Sequence, residues 1–189
     1  MRNKQFEQFL DQAVSSSQMA QIDWEEKKRE WIIFLGDLYE VIEGFLKPYI
    51  DKGKIMMTYS QVEINEELIG SYQVKSATIL IGANRILLQP IGTNLIAAKG
   101  RVDMKGPYGT VKFVLVPQAA DTPQIRTIIG TPGQFPEGPV GSIAETSIDW
   151  EWKIATQAPR IRYLPLDRDA FFDALMEVTN ATPTDQDEQ

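Results

Sequence analysis

Residues 95–116 read LIAAKGRVDMKGPYGTVKFVLV. Within them, Gly106-Pro107-Tyr108-Gly109 forms a cluster of turn residues. It is flanked on both sides by β-branched and apolar residues in alternation. This pattern predicts a hairpin, with strands over 95–104 and 110–116.

A period of two extends in both directions from this hairpin. Upstream, Tyr72 to Ile81 and Arg85 to Pro90 read as strands separated by Gly82-Ala83-Asn84. Ile55, Met57 and Tyr59 alternate, and Val62 and Ile64 then alternate on the opposite phase. That change of phase predicts a β-bulge near Ser60-Gln61. Downstream, Ile148, Trp150, Trp152 and Ile154 alternate with Asp149, Glu151 and Lys153. Such a strand is expected to have one buried face and one wet face. Arg160 to Leu164 reads as a short last strand.

At both ends the period becomes helical. Phe6, Phe9, Leu10, Ala13 and Val14 form one stripe, predicting a helix over 4–20 that weakens at Ser15-Ser16-Ser17. A second helix is predicted over 23–50, capped by Asp23 with Glu26 three residues on. Pro48 should kink or end it. A third is predicted over 167–178, opened by Asp167, with Leu166 and Phe171 placed as a hydrophobic staple. The whole predicts a single α+β domain over 1–178. Its antiparallel meander of about six to eight strands lies within 54–116 and 123–164, and two N-terminal helices and one C-terminal helix pack on it. A polar tail follows over 179–189.

Composition narrows the chemistry. The chain has 189 residues, is 43 % apolar and 24 % charged, and so can bury a globular core. It has no cysteine and no histidine. Disulfides, thiolate sites, imidazole bases and Ser-His-Asp triads are therefore excluded. The net charge of −7 disfavours nucleic acid and anionic membranes as partners. With no apolar run of membrane-spanning length and no apolar leader, the expected compartment is the cytoplasm. No cofactor and no metal are expected. The absence of G-x-x-x-x-G-K-[ST] and G-x-G-x-x-G removes the common nucleotide loops.

Several constellations remain. Glu151 and Lys153 would share one strand face, an arrangement some metal-dependent nucleases and hydrolases use, with Asp103 or Asp121 as the third group. The plainer reading is a solvated ion pair. Glu63, Glu66 and Glu67 read as an acidic turn, since their spacing matches no EF-hand. Ser71 and Lys75 would lie about 13 Å apart along a strand, too far for direct proton transfer. The stretch 117–146 interleaves Pro117, Pro123, Pro132, Pro136 and Pro139 with glycines. It sets Phe135 between prolines, and only 125–129 within it looks strand-like.

Phe135, Pro136, Pro139 and Trp24 are the expected contact residues of a protein that works by protein–protein interaction, as an adaptor, inhibitor or immunity-type protein. A carboxylate- or metal-dependent enzyme centred on Glu151 and Lys153 is the first alternative. A carrier for a small apolar ligand is the second. The expected partner is another protein, and the helix from Asp23 is also compatible with a homodimer.

Overall fold

A computed structural model describes residues 2–67, 69–93, 98–123 and 149–179. Among these residues two helices and seven strands run in the order α1 (Arg2–Ile50), β1 (Ile55–Glu66), β2 (Gly70–Ile81), β3 (Asn84–Gly92), β4 (Gly100–Gly106), β5 (Gly109–Pro117), β6 (Trp150–Ala155), β7 (Tyr163–Pro165) and α2 (Arg168–Thr179). The strands form one antiparallel sheet whose spatial order is also their chain order. The fold is an α+β meander. The hairpin read first is β4–β5, closed by the pair Gly106↔Gly109. Its first strand begins at Gly100, and residues 94–97 lie outside the described part. The strand-like 125–129 and the tail from residue 180 also lie outside it.

The two predicted N-terminal helices are one. Helix α1 passes through Ser15-Ser16-Ser17 and Asp23 without a break. Serine lowers helix propensity by only a few tenths of a kcal/mol, and neither proline nor glycine occurs before Gly36 to end the helix. Asp23 therefore sits inside the helix and does not cap it. Pro48 falls in the last turn, and the helix ends two residues later.

Among the described side chains of α1, those that cover the sheet lie in its C-terminal part. Trp31, Leu35, Leu38, Tyr39, Ile42 and Leu46 recur at helical spacing and are buried against Ile79, Ile86, Leu88, Val102, Met104, Phe113 and Leu115. Nearer its start, Phe6 (61 %) and Leu10 (44 %) remain exposed. These two side chains lie outside the core. Trp31 anchors the packing. It is fully buried, its ring centre lies 5.9 Å from that of Trp152, and Trp152 donates its indole N–H to the Phe34 carbonyl at 2.9 Å. Gly100 leaves room for the Trp31 ring, since a methyl group there would stand 2.2 Å from Cζ3.

Helix α2 starts as expected. Asp167 accepts the Ala170 N–H at 2.8 Å, and Leu166 and Phe171 both pack on the core. Met176 on this helix is exposed. Phe171 reaches Phe45 and Phe113, which joins both helices to the centre of the sheet.

The expected bulge at Ser60-Gln61 is absent. The β1–β2 register runs unbroken from Ile55↔Ile81 to Glu66↔Gly70. The change of phase is nevertheless real, and both strands share it. Ile55 and Met57 pack inward beside Ala77 and Ile79, whereas further along Val62, Ile64, Tyr72 and Val74 are the inward positions. A change of face at the same rung of both strands requires the ribbon to turn about its own axis. Two-stranded ribbons twist more than wide sheets, and β2 pairs with β3 only over 77–81. The outer part of the hairpin is thus free to coil over the core. The register shift among the described strands of this region lies in β3, between Pro90 and Gly92.

Candidate functional site

Glu151 and Lys153 lie on the face of β6 opposite Trp152 and Ile154, as their alternation requires. That face is not wet at Lys153, whose side chain is only 6 % exposed. Val114, Val116 and Tyr163 form a small second core beside it, with Ala98, Ala120 and Ala155 packed against them. The chain leaving β5 folds back over this face. Ala120 N–H bonds to the Pro117 carbonyl, and Tyr163 N–H bonds to the Asp121 carbonyl at 2.8 Å.

Lys153 holds this returning chain. Its ammonium donates to the carbonyls of Gln118 at 2.7 Å and Ala120 at 3.0 Å. Glu151 is a distant third partner, at 3.9 Å and 44 % exposed. Two carbonyls turned toward one buried ammonium satisfy a charge that would otherwise be costly to bury. Gln118 N–H also bonds to the Asp149 carbonyl at 2.9 Å. The two ends of the Pro/Gly-rich stretch therefore meet at one root, with Pro117–Asp121 on one side and Asp149 on the other.

Asp103 is also buried and lies on the same outer face, but β5 separates its strand from β6. That places the two strands about 10 Å apart. Asp103 is held by Arg101 in a two-pronged pair, Nε at 2.6 Å and Nη2 at 2.9 Å. A trio with Asp103 is therefore split, and Asp121, the other acid expected there, is exposed on the chain that returns past Lys153. Glu151 and Lys153 are neighbours, while Asp103 belongs to a different pair.

Reading the sequence alone missed one buried polar cluster. Glu66, expected in an acidic surface turn, is 7 % exposed. Its carboxylate accepts the Tyr72 hydroxyl, the Thr93 N–H at 2.8 Å and the Thr93 hydroxyl at 3.0 Å. Gly92 stands against it at φ +126°, where a methyl group would come within 2.7 Å of the carboxyl carbon. The cluster fastens the coiled tip of β1–β2 to the end of β3. The signal was the spacing Val62, Ile64, Glu66, which continues the inward phase. Its neighbours Glu63 and Glu67 are exposed, as expected of the turn.

Burial raises the pKa of the Tyr72 phenol well above the usual tyrosine value, and the hydrogen bond to Glu66 and that carboxylate's charge raise it further. Tyr39 is raised mainly by burial, with Tyr59 adding to it, and its hydroxyl donates to the Lys75 carbonyl at 2.9 Å. Both phenols are thus held neutral in the folded chain. In the unfolded chain they ionise near pH 10. Stability should be unaffected by either group below that pH and should fall above it, by at most about 1.4 kcal/mol per pH unit for each tyrosine. Urea unfolding across the alkaline range should show this decline, and Tyr39→Phe should make it shallower. An equal slope in the variant would contradict the assignment.

The remaining candidates are scattered. Trp24 is half-buried within α1 rather than at a helix start, and the Lys27 ammonium lies 4.3 Å from its ring centre. Phe135, Pro136 and Pro139 lie outside the described residues. Lys99, which the sequence did not single out, pairs with Glu30 at 2.8 Å and lies over the rings of Phe34 and Trp150. That contact ties α1 to β6. Among the described residues no group of three acidic side chains is placed to hold a metal ion. No helix among them is long and apolar enough to cross a membrane.

No family model, no curated protein and no solved structure matches the chain. Of Glu151, Lys153 and Asp103, two are already engaged. Lys153 has its nearest partners in backbone carbonyls, and Asp103 has Arg101. The most defined construction among them is the root at Lys153.

Proposed function

We propose that this protein acts by binding another protein, and that the excursion between β5 and β6 is the contacting part. The observation that carries this reading is the Lys153 anchor. A buried ammonium bonded to the Gln118 and Ala120 carbonyls, with Gln118 N–H on Asp149, holds both ends of the excursion on the sheet. Segments that bind are commonly carried on such rigid supports. The excursion's prolines restrict its chain, which lowers the entropy lost on binding. Phe135, flanked by Pro136 and near Pro139, supplies the aromatic anchor of a contact patch. The net charge of −7 favours a basic partner surface.

The test is quantitative affinity capture under native conditions with the full chain and with Phe135→Ala. The variant should unfold at the same temperature as the wild type and lose at least about tenfold in partner recovery, as hot-spot aromatics do. Equal recovery by the two proteins would end the reading.

A further inference from the structure

The sheet has two edges, and the sequence treats them differently. β7 is three residues long and ends on Pro165, so it offers little to another strand. β1 is twelve residues long, pairs with β2 without a bulge, and has no strand on its other side among the described residues. From Ile55 to Val62 it carries neither a charge nor a proline. Natural edge strands are ordinarily blunted by lysines, prolines, bulges or brevity, because an open row of N–H and C=O groups templates further pairing. β1 uses none of these devices over its first eight residues. It also exposes large apolar side chains there, Met56 at 58 % and Tyr59 at 44 %.

Its charges lie only at the two ends and are opposite in sign. Lys52 and Lys54 immediately precede the strand, and Glu63 and Glu67 stand at its far end. All four are exposed. A segment that is positive at one end, neutral in the middle and negative at the other is complementary to itself when antiparallel. Laid parallel, it would set lysine on lysine and glutamate on glutamate, which is unfavourable.

We propose that β1 pairs antiparallel with β1 of a second copy, about a two-fold axis near Ser60, joining two seven-stranded sheets into one. The lysine end of each strand then meets the glutamate end of the other, and Met56 and Tyr59 are covered. This self-recognition is independent of the excursion that carries Phe135.

The experiment is sedimentation equilibrium on the full chain over a concentration series, with two charge-reversal variants, Lys52→Glu/Lys54→Glu and Glu63→Lys/Glu67→Lys. The wild type should dimerise. Each variant alone should show a dissociation constant raised by about tenfold or more, because attraction at both ends becomes repulsion. An equimolar mixture of the two variants should dimerise again, since their ends are complementary to each other. At concentrations too low for dimerisation, thermal melts of both variants should match the wild type, as the altered side chains are exposed. A wild type that stays monomeric would overturn the proposal, as it would if the excursion or an unrelated protein occupied the edge instead. Variants that dimerise as well as the wild type would overturn it too, and so would a mixture that fails to recover.

Discussion

Trp31→Ala should lower the unfolding free energy by about 3–5 kcal/mol, the range for deleting a large aromatic from a close-packed core. For a chain of this length that is a fall in Tm of roughly 10 °C. The ring is fully buried and is wedged between Trp152 on β6 and the bare backbone of Gly100 at the start of β4. Its indole N–H has no acceptor among the described residues, so the loss is chiefly one of packing. The same geometry makes Gly100→Ala costly from the other side. The new methyl would meet Cζ3 at 2.2 Å and Cε3 at 2.6 Å. The Trp31 ring has little room to yield, so an overpacking cost of about 3 kcal/mol is expected. The two substitutions should not add. Combining Gly100→Ala with Trp31→Leu should recover about 1–2 kcal/mol of the summed losses, because the smaller side chain vacates the space the methyl needs. A double-mutant cycle by chemical denaturation measures this directly. Strict additivity would mean that Trp31 and Gly100 do not share the contact.

Lys153→Met should cost about 3 kcal/mol, while Glu151→Gln should cost less than about 0.5 kcal/mol. Methionine keeps the length and most of the volume of lysine but cannot donate. The part-buried bonds to the Gln118 and Ala120 carbonyls would then be lost, and hydrogen bonds to a charged group contribute about 1.5–3 kcal/mol. Glu151 is half-exposed and 3.9 Å from the ammonium, the geometry of a pair that contributes little. The contrast separates an anchor from a catalytic pair. Two groups that worked together in catalysis would lose activity together, whatever their separate effects on stability.

How far the sequence foretold these features varied with how local they are. The β4–β5 hairpin was legible because its turn and both its strands lie within one short stretch. The start of α2 was legible for the same reason, since Asp167 caps residues that follow it at once. The continuity of α1 was misread because a run of serines resembles a helix end when propensity is weighed residue by residue, although no breaker is present. The coil of β1–β2 was misread because periodicity treats one strand at a time. A turn shared by two strands then looks like an extra residue in one of them. Lys153 was expected on a wet face because its alternation with Trp152 is local, whereas the chain that covers it comes from Gln118, Ala120 and Tyr163. A hint existed in Phe113-Val114-Leu115-Val116, four apolar residues in a row, which read as a strand covered on both faces. Glu66 gave a similar hint by continuing the inward phase of Val62 and Ile64.

Hydrogen exchange over the root of the excursion tests most directly whether Lys153 is the support on which a binding segment is mounted. The amides of 118–122 and 149–155 should exchange slowly in the wild type and in Glu151→Gln, and markedly faster in Lys153→Met under conditions where all three proteins remain folded. Unchanged protection in Lys153→Met, or an equal loss in Glu151→Gln, would contradict the anchoring role and return the pair to consideration as reactive groups.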